Sequence, residues 1–146
     1  MGMVDVGKKS VVKRFAEARG KILLKPETID KLKKGEIEKG DPFVVAEIAG
    51  INAAKQTHLL IPYCHQISLD HVKIDFSIED GVIEVGCAVS AKARTGVEME
   101  AIVGVSMALN TIWDMVKYLE KDQDGQYPHT RIKDIRVIKK QKEDAP

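Results

Sequence analysis

The apolar segment RTGVEMEAIVGVSMALNTIWDMVKYL, residues 94–119, contains ionisable side chains near both of its ends. Its hydrophobic periodicity predicts a helix over about residues 97–119. Two of these residues, Glu100 and Asp114, are 14 positions apart, so on a helix they lie within about 40° of one face and roughly 21 Å apart along the axis. One small substrate cannot easily contact both carboxylates of a single chain. If both act in catalysis, the spacing predicts either a site shared between subunits or two separate sites.

The same charged residues also have structural interpretations. Glu98 and Glu100 fall in the first helical turn, where the helix macrodipole stabilises an acid by about 0.3–1 kcal/mol. Asp114 and Lys117 are three residues apart, which suits a surface ion pair. The apolar neighbours of Asp114 predict that it is partly buried, where an unpaired charge is costly. Spacing alone leaves the structural and the functional interpretation open.

Other positions could also take part in chemistry. Lys39 precedes a predicted helix N-terminus, whose free N–H groups attract anions, although a solvated lysine before a capped helix is the more common case. Lys55 lies within a helix rich in small residues and is expected to extend its ammonium group to solvent. Cys64 and His65 are adjacent on a predicted turn, which is a poor geometry for metal chelation or for a Cys–His nucleophile.

Familiar metal and phosphate motifs are absent from the sequence. The chain has four histidines and two cysteines but lacks the C-x-x-C and H-E-x-x-H spacings, so no metal site is predicted. Neither of the two common glycine-rich phosphate-binding motifs occurs. A phosphorylated ligand would therefore need a local group of lysine and arginine side chains.

Length and charge limit the class of protein. The chain of 146 residues has the usual size of one domain, and we expect residues 1–146 to form a single domain. A net charge of +1 argues against nucleic-acid binding through bulk positive charge. The N-terminus lacks a signal peptide, and the longest apolar run, residues 101–109, is too short to span a bilayer. These features, with too few cysteines for a secreted disulfide framework, predict a cytoplasmic protein without membrane contact.

Alternating apolar residues predict the strands. The first strand is expected to start at Val12, and Arg14 falls in its alternating apolar series, pointing inward or towards a partner. Residues 69–93 predict two strands joined by the Asp-Gly dipeptide at 80–81, which favours the positive φ values of a hairpin turn. Residues 131–140 alternate well enough to predict the last strand.

Proline and capping residues predict where the helices begin. Pro26 opens a short helix that extends to about Lys34, because proline is tolerated in the first helical turn. Asp41 followed by Pro42 is a strong N-cap signal, and this helix is expected to continue to about Leu60.

The predicted order β-α-α-β-β-α-β indicates an α+β fold: a ferredoxin-like antiparallel sheet with helices on one face. Thr95 or Gly96 is expected near the N-terminal cap of the long helix. Residues 1–10 and 141–146 are expected to be mobile.

Three long segments of the chain are similar to one known family. They are MVDVGKKSVVKRFAEARG (residues 3–20), KGDPFVVAEIAGINAAKQTHLLIPYCHQISL (39–69) and TGVEMEAIVGVSMALNTIWDMVKYL (95–119). They resemble the cyclic pyranopterin monophosphate synthases, the C proteins of molybdenum cofactor biosynthesis. The elements KGD, AGI-AAK-T, LIP-CH and TGVEMEA…DM-K occur in the family's order and spacing, and the likeness extends from Met3 to about Lys140.

The resemblance implies roles for individual residues. The catalytic aspartate and lysines of the family fall on Asp114, Lys117 and Lys39. The substrate-contacting positions fall on Tyr63, Cys64, His65, Glu98, Met99, Glu100, Asp5, Arg14 and Lys140. Asp114 is then the expected general acid–base, with Lys117 tuning its pKa or shuttling a proton itself.

The resemblance also implies the reaction and the assembly. The enzyme would be a phosphorus–oxygen lyase that converts 3′,8-cyclo-7,8-dihydro-GTP to cyclic pyranopterin monophosphate and releases pyrophosphate. It would act as a homohexamer, a trimer of dimers, with sites at subunit interfaces. No cofactor is implied, apart from Mg²⁺ that the pyrophosphate can carry, and a transient contact with the upstream radical enzyme fits the pathway.

Two departures from the family pattern concern the site. Tyr63 stands where leucine is often found, and the tail KKQKEDAP lacks the Ser-Gly-Gly-Lys-Ser-Gly run that often follows the last strand. Lys139 or Lys142 could therefore replace Lys140. Two rival classes stay open on sequence alone, a non-catalytic nucleotide-sensing module and a plain assembly protein.

Overall fold

The computed structural model describes residues 1–143, which form four strands and four helices. In chain order they are β1 (Val12–Leu23), α1 (Pro26–Lys34), α2 (Pro42–Lys55), α3 (Thr57–Leu60), β2 (His71–Glu79), β3 (Val82–Ala93), α4 (Glu98–Glu120) and β4 (Arg131–Glu143).

The four strands form one antiparallel sheet in the order β2-β3-β1-β4. Because β3 pairs antiparallel with both β1 and β2, the latter two run parallel with β3 between them. This split βαβ arrangement, with α4 as the second crossover, is the ferredoxin-like topology. The predicted α+β fold is therefore confirmed.

The helices cover one face of the sheet, as predicted. Inward-facing β1 residues such as Ala18 and Ile22 are fully buried, and so are the β3 residues Val85 and Val89. Helix α4 packs over β1, β3 and β4, while α2 lies beside α4 and over β2. The core therefore lies between the sheet and this helical layer.

Small residues allow α2, α4 and β3 to approach closely. A methyl group added at Gly50 would lie 3.0 Å from the Gly104 carbonyl oxygen. One added at Gly104 would lie 2.6 Å from the Sγ atom of Cys87 on β3. The small residues of α2 therefore allow α4 to pack closely against it.

The predicted hairpin turn is present, but one predicted helix is shorter than expected. Asp80 and Gly81 adopt φ values of 48° and 76° and join β2 to β3, as a tight hairpin requires. The helix predicted from Pro42 to about Leu60 is divided at Gln56 into α2 and α3, so its predicted length was wrong. No proline or glycine marks this break in the sequence.

The long helix begins close to its predicted start. Its N-cap is Val97, which directly follows Thr95 and Gly96 and makes no side-chain hydrogen bond. Of the segments expected to be mobile, residues 1–10 contain no helix or strand, and residues 141–143 belong to β4. Residues 144–146 lie outside the described part of the chain. Within residues 1–143, no helix is both long enough and apolar enough to cross a membrane.

Candidate active site

Asp114 lies between two lysines on the surface of α4. Its Oδ1 atom is 3.0 Å from the Nζ atom of Lys117, one turn further along the helix. Its Oδ2 atom is 3.1 Å from the Nζ atom of Lys39, which precedes α2 and also donates to the Asp114 backbone carbonyl at 3.2 Å. We call these three residues the Asp114 cluster. The structure thus brings together the three residues expected to be catalytic.

The Asp114 cluster is open to solvent. The side chain of Asp114 is 57% exposed, which shows that the predicted partial burial was wrong. Its apolar neighbours Ile112, Met115 and Val116 are buried because they point to other sides of the helix. The ammonium groups of Lys117 and Lys39 hold the pKa of Asp114 below its ordinary value, so it is a carboxylate at neutral pH.

A tyrosine that sequence reasoning missed holds the loop that carries Lys39. The backbone N–H of Glu38 donates to the Tyr118 hydroxyl at 2.8 Å. Tyr118 lies four residues after Asp114 and therefore on the same face of α4. That spacing was visible in the sequence, but the partner of the hydroxyl on another element was not.

The other end of α4 forms a second group, the Glu100 cluster of Cys64, Glu98, Glu100 and Lys140. Glu100 is only 2% exposed, and its Oε1 atom has no hydrogen-bond partner among the described residues. Its Oε2 atom accepts from the Cys64 thiol, with an Sγ–O distance of 3.9 Å. Burial raises the pKa of Glu100, and the nearby charge of Glu98 acts in the same direction. A buried carboxyl oxygen without a donor is a ready acceptor for a ligand N–H group.

The thiol of Cys64 is not arranged as a nucleophile. Burial raises its pKa, and the charge of Glu100 raises it further, so the thiol stays protonated at neutral pH. It serves here as a weak donor to Glu100.

Lys140 is the C-terminal lysine that reaches this cluster. Its Nζ atom lies 2.6 Å from Oε1 of Glu98. Burial tends to raise the pKa of Glu98, but pairing with Lys140 outweighs it and leaves the pKa below its ordinary value. Lys139 instead places its Nζ atom 5.7 Å from the centre of the Phe15 ring.

Arg14 and His65 bind backbone carbonyls near the Glu100 cluster. Arg14 is 7% exposed, and its guanidinium donates to the carbonyls of Ala93 and Arg94 at 3.3 and 3.2 Å. His65 places Nε2 at 2.6 Å from the Val4 carbonyl oxygen, and because a carbonyl only accepts, Nε2 carries a proton there. Arg14 therefore faces inward, one of the two orientations predicted for it.

The remaining candidates are Asp5, Met99 and Tyr63. Asp5 accepts from the backbone N–H of Gly7 at 2.8 Å and so closes its own turn. Met99 is half-buried in the first turn of α4, and Tyr63 is 57% exposed. Within residues 1–143, Tyr63 forms no side-chain hydrogen bond with another candidate.

The two clusters do not meet on one chain. They occupy the two ends of α4, with Glu100 and Asp114 about 21 Å apart along the helix at the usual rise per residue. The structure therefore keeps the separation that the sequence predicted. A single chain therefore presents two separate clusters of candidate residues. The Asp114 cluster is exposed and contains two lysines, and the Glu100 cluster contains a buried carboxyl group.

This fold and these clusters define an α+β protein of ferredoxin-like topology with acid–base groups at both ends of one helix. The model of the MoaC family matches residues 3–143. The chain therefore belongs to the MoaC family, which confirms the resemblance drawn from its three segments.

Curated relatives agree over nearly the whole chain. A protein of Thermococcus kodakarensis is 58% identical over 140 residues, 96% of this chain and 90% of the relative, and is named "Probable cyclic pyranopterin monophosphate synthase". A protein of Sulfolobus acidocaldarius with the same name is 52% identical, covering 94% of this chain and 96% of its own length. A third, from Methanothermobacter thermautotrophicus, is 53% identical over 96% of this chain and 88% of its own, and its name adds "accessory protein".

Proposed function

We propose that this chain is a cyclic pyranopterin monophosphate synthase of molybdenum cofactor biosynthesis. Its substrate would be 3′,8-cyclo-7,8-dihydro-GTP and its products cyclic pyranopterin monophosphate and pyrophosphate. Membership of the MoaC family and the names of its relatives support the reaction. The observation that carries it in the structure is Asp114 held between Lys39 and Lys117.

The Asp114 cluster suits proton transfer beside a phosphorylated substrate. Forming the cyclic phosphate makes a new P–O bond to the α-phosphorus while the bond to the departing pyrophosphate breaks, and the attacking hydroxyl must lose its proton. A carboxylate such as Asp114 can accept that proton, and the lysines offset the negative charge of the substrate. When a substrate phosphate draws Lys39 away, the pKa of Asp114 would rise towards a value better suited to proton exchange.

The Glu100 cluster suits recognition of the ring. The purine-derived part of the substrate presents N–H donors, and the unpartnered Oε1 atom of Glu100 is an acceptor for one of them. Glu98 can serve likewise, because Lys140 keeps it ionised. The buried position of Glu100 makes a missing partner costly, which favours ligands that supply the N–H group.

We further propose that complete sites form between subunits of a homohexamer, a trimer of dimers. The separation of the two clusters along α4 supports a shared site. Exposed apolar side chains on α2 and α3 support assembly, since Ile48 is 55% and Leu59 71% exposed and monomers rarely display large apolar patches.

The proposed reaction needs no resident cofactor or metal, although the pyrophosphate can carry Mg²⁺. Within residues 1–143, no three His, Cys, Asp or Glu side chains gather as a metal site. The substrate derives from GTP, so we place the enzyme in the cytoplasm, with a transient contact to the upstream radical enzyme that supplies it.

The test is incubation of the purified protein with 3′,8-cyclo-7,8-dihydro-GTP, followed by assay of pyrophosphate and pterin product. We expect turnover by the wild type and a loss of about 100-fold or more in Asp114→Asn, because general acid–base catalysis contributes 10²–10⁴-fold. Lys117→Ala should be similarly impaired.

The matched control is Asp30→Asn, which removes another surface aspartate paired with a lysine, Lys34, on a helix. It should retain wild-type turnover. If Asp114→Asn keeps activity within tenfold of the wild type, the catalytic assignment is wrong. If the wild type binds the substrate but forms no product, the protein is a binding module instead.

A further inference from the structure

Glu120, the last residue of α4, is a buried acid that belongs to neither the Asp114 cluster nor the Glu100 cluster. Its exposed fraction is 0%, and within residues 1–143 it forms no ion pair with a lysine, arginine or histidine. A buried carboxylate is costly unless several donors satisfy it. A negative charge is also unfavourable at the C-terminal end of its own helix, where the macrodipole favours cations. The position of Glu120 must therefore be explained by its contacts with other elements.

Three donors from outside α4 satisfy the carboxylate of Glu120. The backbone N–H of Lys25, the N-cap residue of α1, lies 3.2 and 3.1 Å from Oε1 and Oε2. The hydroxyl group of Thr28, in the first turn of α1, donates to Oε2, and that of Thr130, just before β4, donates to Oε1 at 2.6 Å. The carboxylate thus lies at the N-terminal end of α1, where an anion is favoured and where α1 has no capping side chain of its own.

The segment that begins at this contact leads directly to Lys39. Helix α1 ends at Gly35, whose φ of 69° is the left-handed conformation that commonly closes a helix. Ile37 is buried in the core, and its carbonyl accepts from the backbone N–H of Gly40 at 3.1 Å, which turns the chain around Lys39. Because the backbone between α1 and Lys39 is fixed in this way, a displacement of α1 would also displace Lys39.

Helix α4 holds this segment at both ends. Glu120 contacts its start, and the Tyr118 hydroxyl accepts from the backbone N–H of Glu38 near its end, at 2.8 Å. Asp114, whose carboxylate contacts Lys39, lies on the same helix. The hydroxyl contacts of Glu120 are buried, whereas the contact of Tyr118 is exposed. Hydrogen bonds to a carboxylate are stronger in a buried environment, so Glu120 is the firmer of the two anchors.

We propose that Glu120 is a positioning residue for Lys39. It fixes the start of α1 on the last turn of α4, and so determines where the loop after α1 places the Lys39 ammonium group relative to Asp114. The inference rests on the proposed function, in which Lys39 and Asp114 act on the substrate. Glu120 is buried and acts through α1 rather than through contact with the substrate.

Thr28→Val and Thr130→Val form a matched pair for the test. Both residues are buried, and each substitution removes one hydroxyl donor from the same carboxylate with little change in shape. Similar losses of stability are therefore expected in the two variants. Thr28 lies on α1, whereas Thr130 lies just before β4, so only Thr28→Val should move Lys39. The measurements are kcat, and the pKa of Asp114 by NMR titration of the full chain without substrate.

We expect Thr28→Val to lower kcat about threefold to tenfold, because a small displacement of a catalytic group slows a reaction. The pKa of Asp114 should rise towards its ordinary value, since Lys39 is one of the two cations that lower it. Glu120→Gln, which presents an amide to the same three donors, should act in the same direction. Thr130→Val should keep the Asp114 pKa and stay within about twofold of the wild type in kcat. In a Lys39→Ala background, Thr28→Val should no longer change the Asp114 pKa, whereas a general loosening of the fold would still change it.

An unchanged Asp114 pKa in Thr28→Val, or an equal rise in Thr130→Val, would overturn the proposal. The titration needs no turnover, so the positioning role and the proposed function can fail separately. If the wild type forms no product but the Asp114 pKa responds as expected, the proposed function is refuted and the positioning role is kept. If product forms and Thr28→Val matches the wild type in both kcat and Asp114 pKa, only the positioning role is refuted.

Discussion

Tyr118 shows how one hydroxyl group can control the geometry of the Asp114 cluster. It accepts from the backbone N–H of Glu38, the residue before Lys39. The Nζ atom of Lys39 in turn contacts the carboxylate of Asp114. The position of one of the two lysines that lower the pKa of Asp114 therefore depends in part on this hydrogen bond.

We predict that Tyr118→Phe loosens the Lys39 loop without unfolding the protein. A hydrogen bond of this kind contributes about 0.5–1.5 kcal/mol, so turnover should fall by up to about tenfold. The pKa of Asp114, followed by NMR titration, should rise towards its ordinary value because Lys39 spends less time beside it. Tyr127→Phe is the control, since Tyr127 packs edge-on against Trp113 and lies outside both clusters. An unchanged Asp114 pKa would show that Tyr118 does not position Lys39.

At the residue scale, local spacing predicted some contacts and not others. The pairing of Asp114 with Lys117 follows from their separation of three residues on a helix. The contact of Asp114 with Lys39 joins residues 75 positions apart and required the tertiary fold. The exposure of Asp114 was predicted wrongly because its neighbours in sequence point to different sides of α4. The choice of Lys140 over Lys139 depends on which face of β4 each side chain occupies.

At the scale of elements, the packing of α4 on β3 depends on a missing side chain. A methyl group at Gly104 would lie 2.6 Å from Cys87 Sγ and 3.4 Å from the Gly50 carbonyl oxygen. Cys87 is fully buried on the central strand, so it has little room to move.

We predict that Gly104→Ala destabilises the fold. Overpacking costs about 1–3 kcal/mol, and the better helix propensity of alanine offsets up to about 1 kcal/mol of that. The free energy of unfolding, measured with denaturant, should therefore fall by about 1–2 kcal/mol. Cys87→Ala removes the clashing sulfur atom. Adding Gly104→Ala to the Cys87→Ala variant should therefore lower the free energy of unfolding by less than adding it to the wild type. Additive effects of the two substitutions would contradict the close contact.

Element boundaries were predictable where a local signal sets them. Pro26, the Asp41–Pro42 pair and the dipeptide at 80–81 each act through their own backbone conformation, and each prediction agrees with the structure. The break at Gln56 has no such signal. The start of α4 likewise has a valine at its N-cap, so the surrounding fold rather than a capping side chain determines where this helix begins.

At the scale of the whole molecule, α4 carries one cluster of candidate site residues at each end. The residues expected to act together are therefore too far apart on one chain to reach one substrate, and we have proposed that a neighbouring subunit supplies the second part. The number of residues between Glu100 and Asp114 on a predicted helix was enough to predict their separation. The surfaces through which subunits would meet could not be predicted in this way, because they depend on how exposed apolar residues are arranged in three dimensions.

We predict complementation between two inactive variants. Asp114→Asn and Glu100→Gln should each be inactive alone, but mixed subunits can place both intact partial sites around one substrate. For equal mixing in dimers with two shared sites, about one quarter of wild-type activity should return, because half of the dimers are mixed and each has one intact site.

The measurement is product formation after subunit exchange, with exchange confirmed by native mass spectrometry of isotope-labelled chains. The same variants mixed under conditions that prevent exchange provide the control. Confirmed exchange without any recovery of product would contradict a site divided between chains.

The length of α4 also determines how many shared sites one altered subunit would affect in an assembly. A subunit with substitutions at both ends of α4 would inactivate both of the shared sites to which it contributes residues. Paired with a normal subunit, it would leave that dimer with no working centre, even though half of the polypeptide is sound. Such doubly altered chains would therefore be genetically dominant because α4 contributes residues to two shared sites, one at each of its ends.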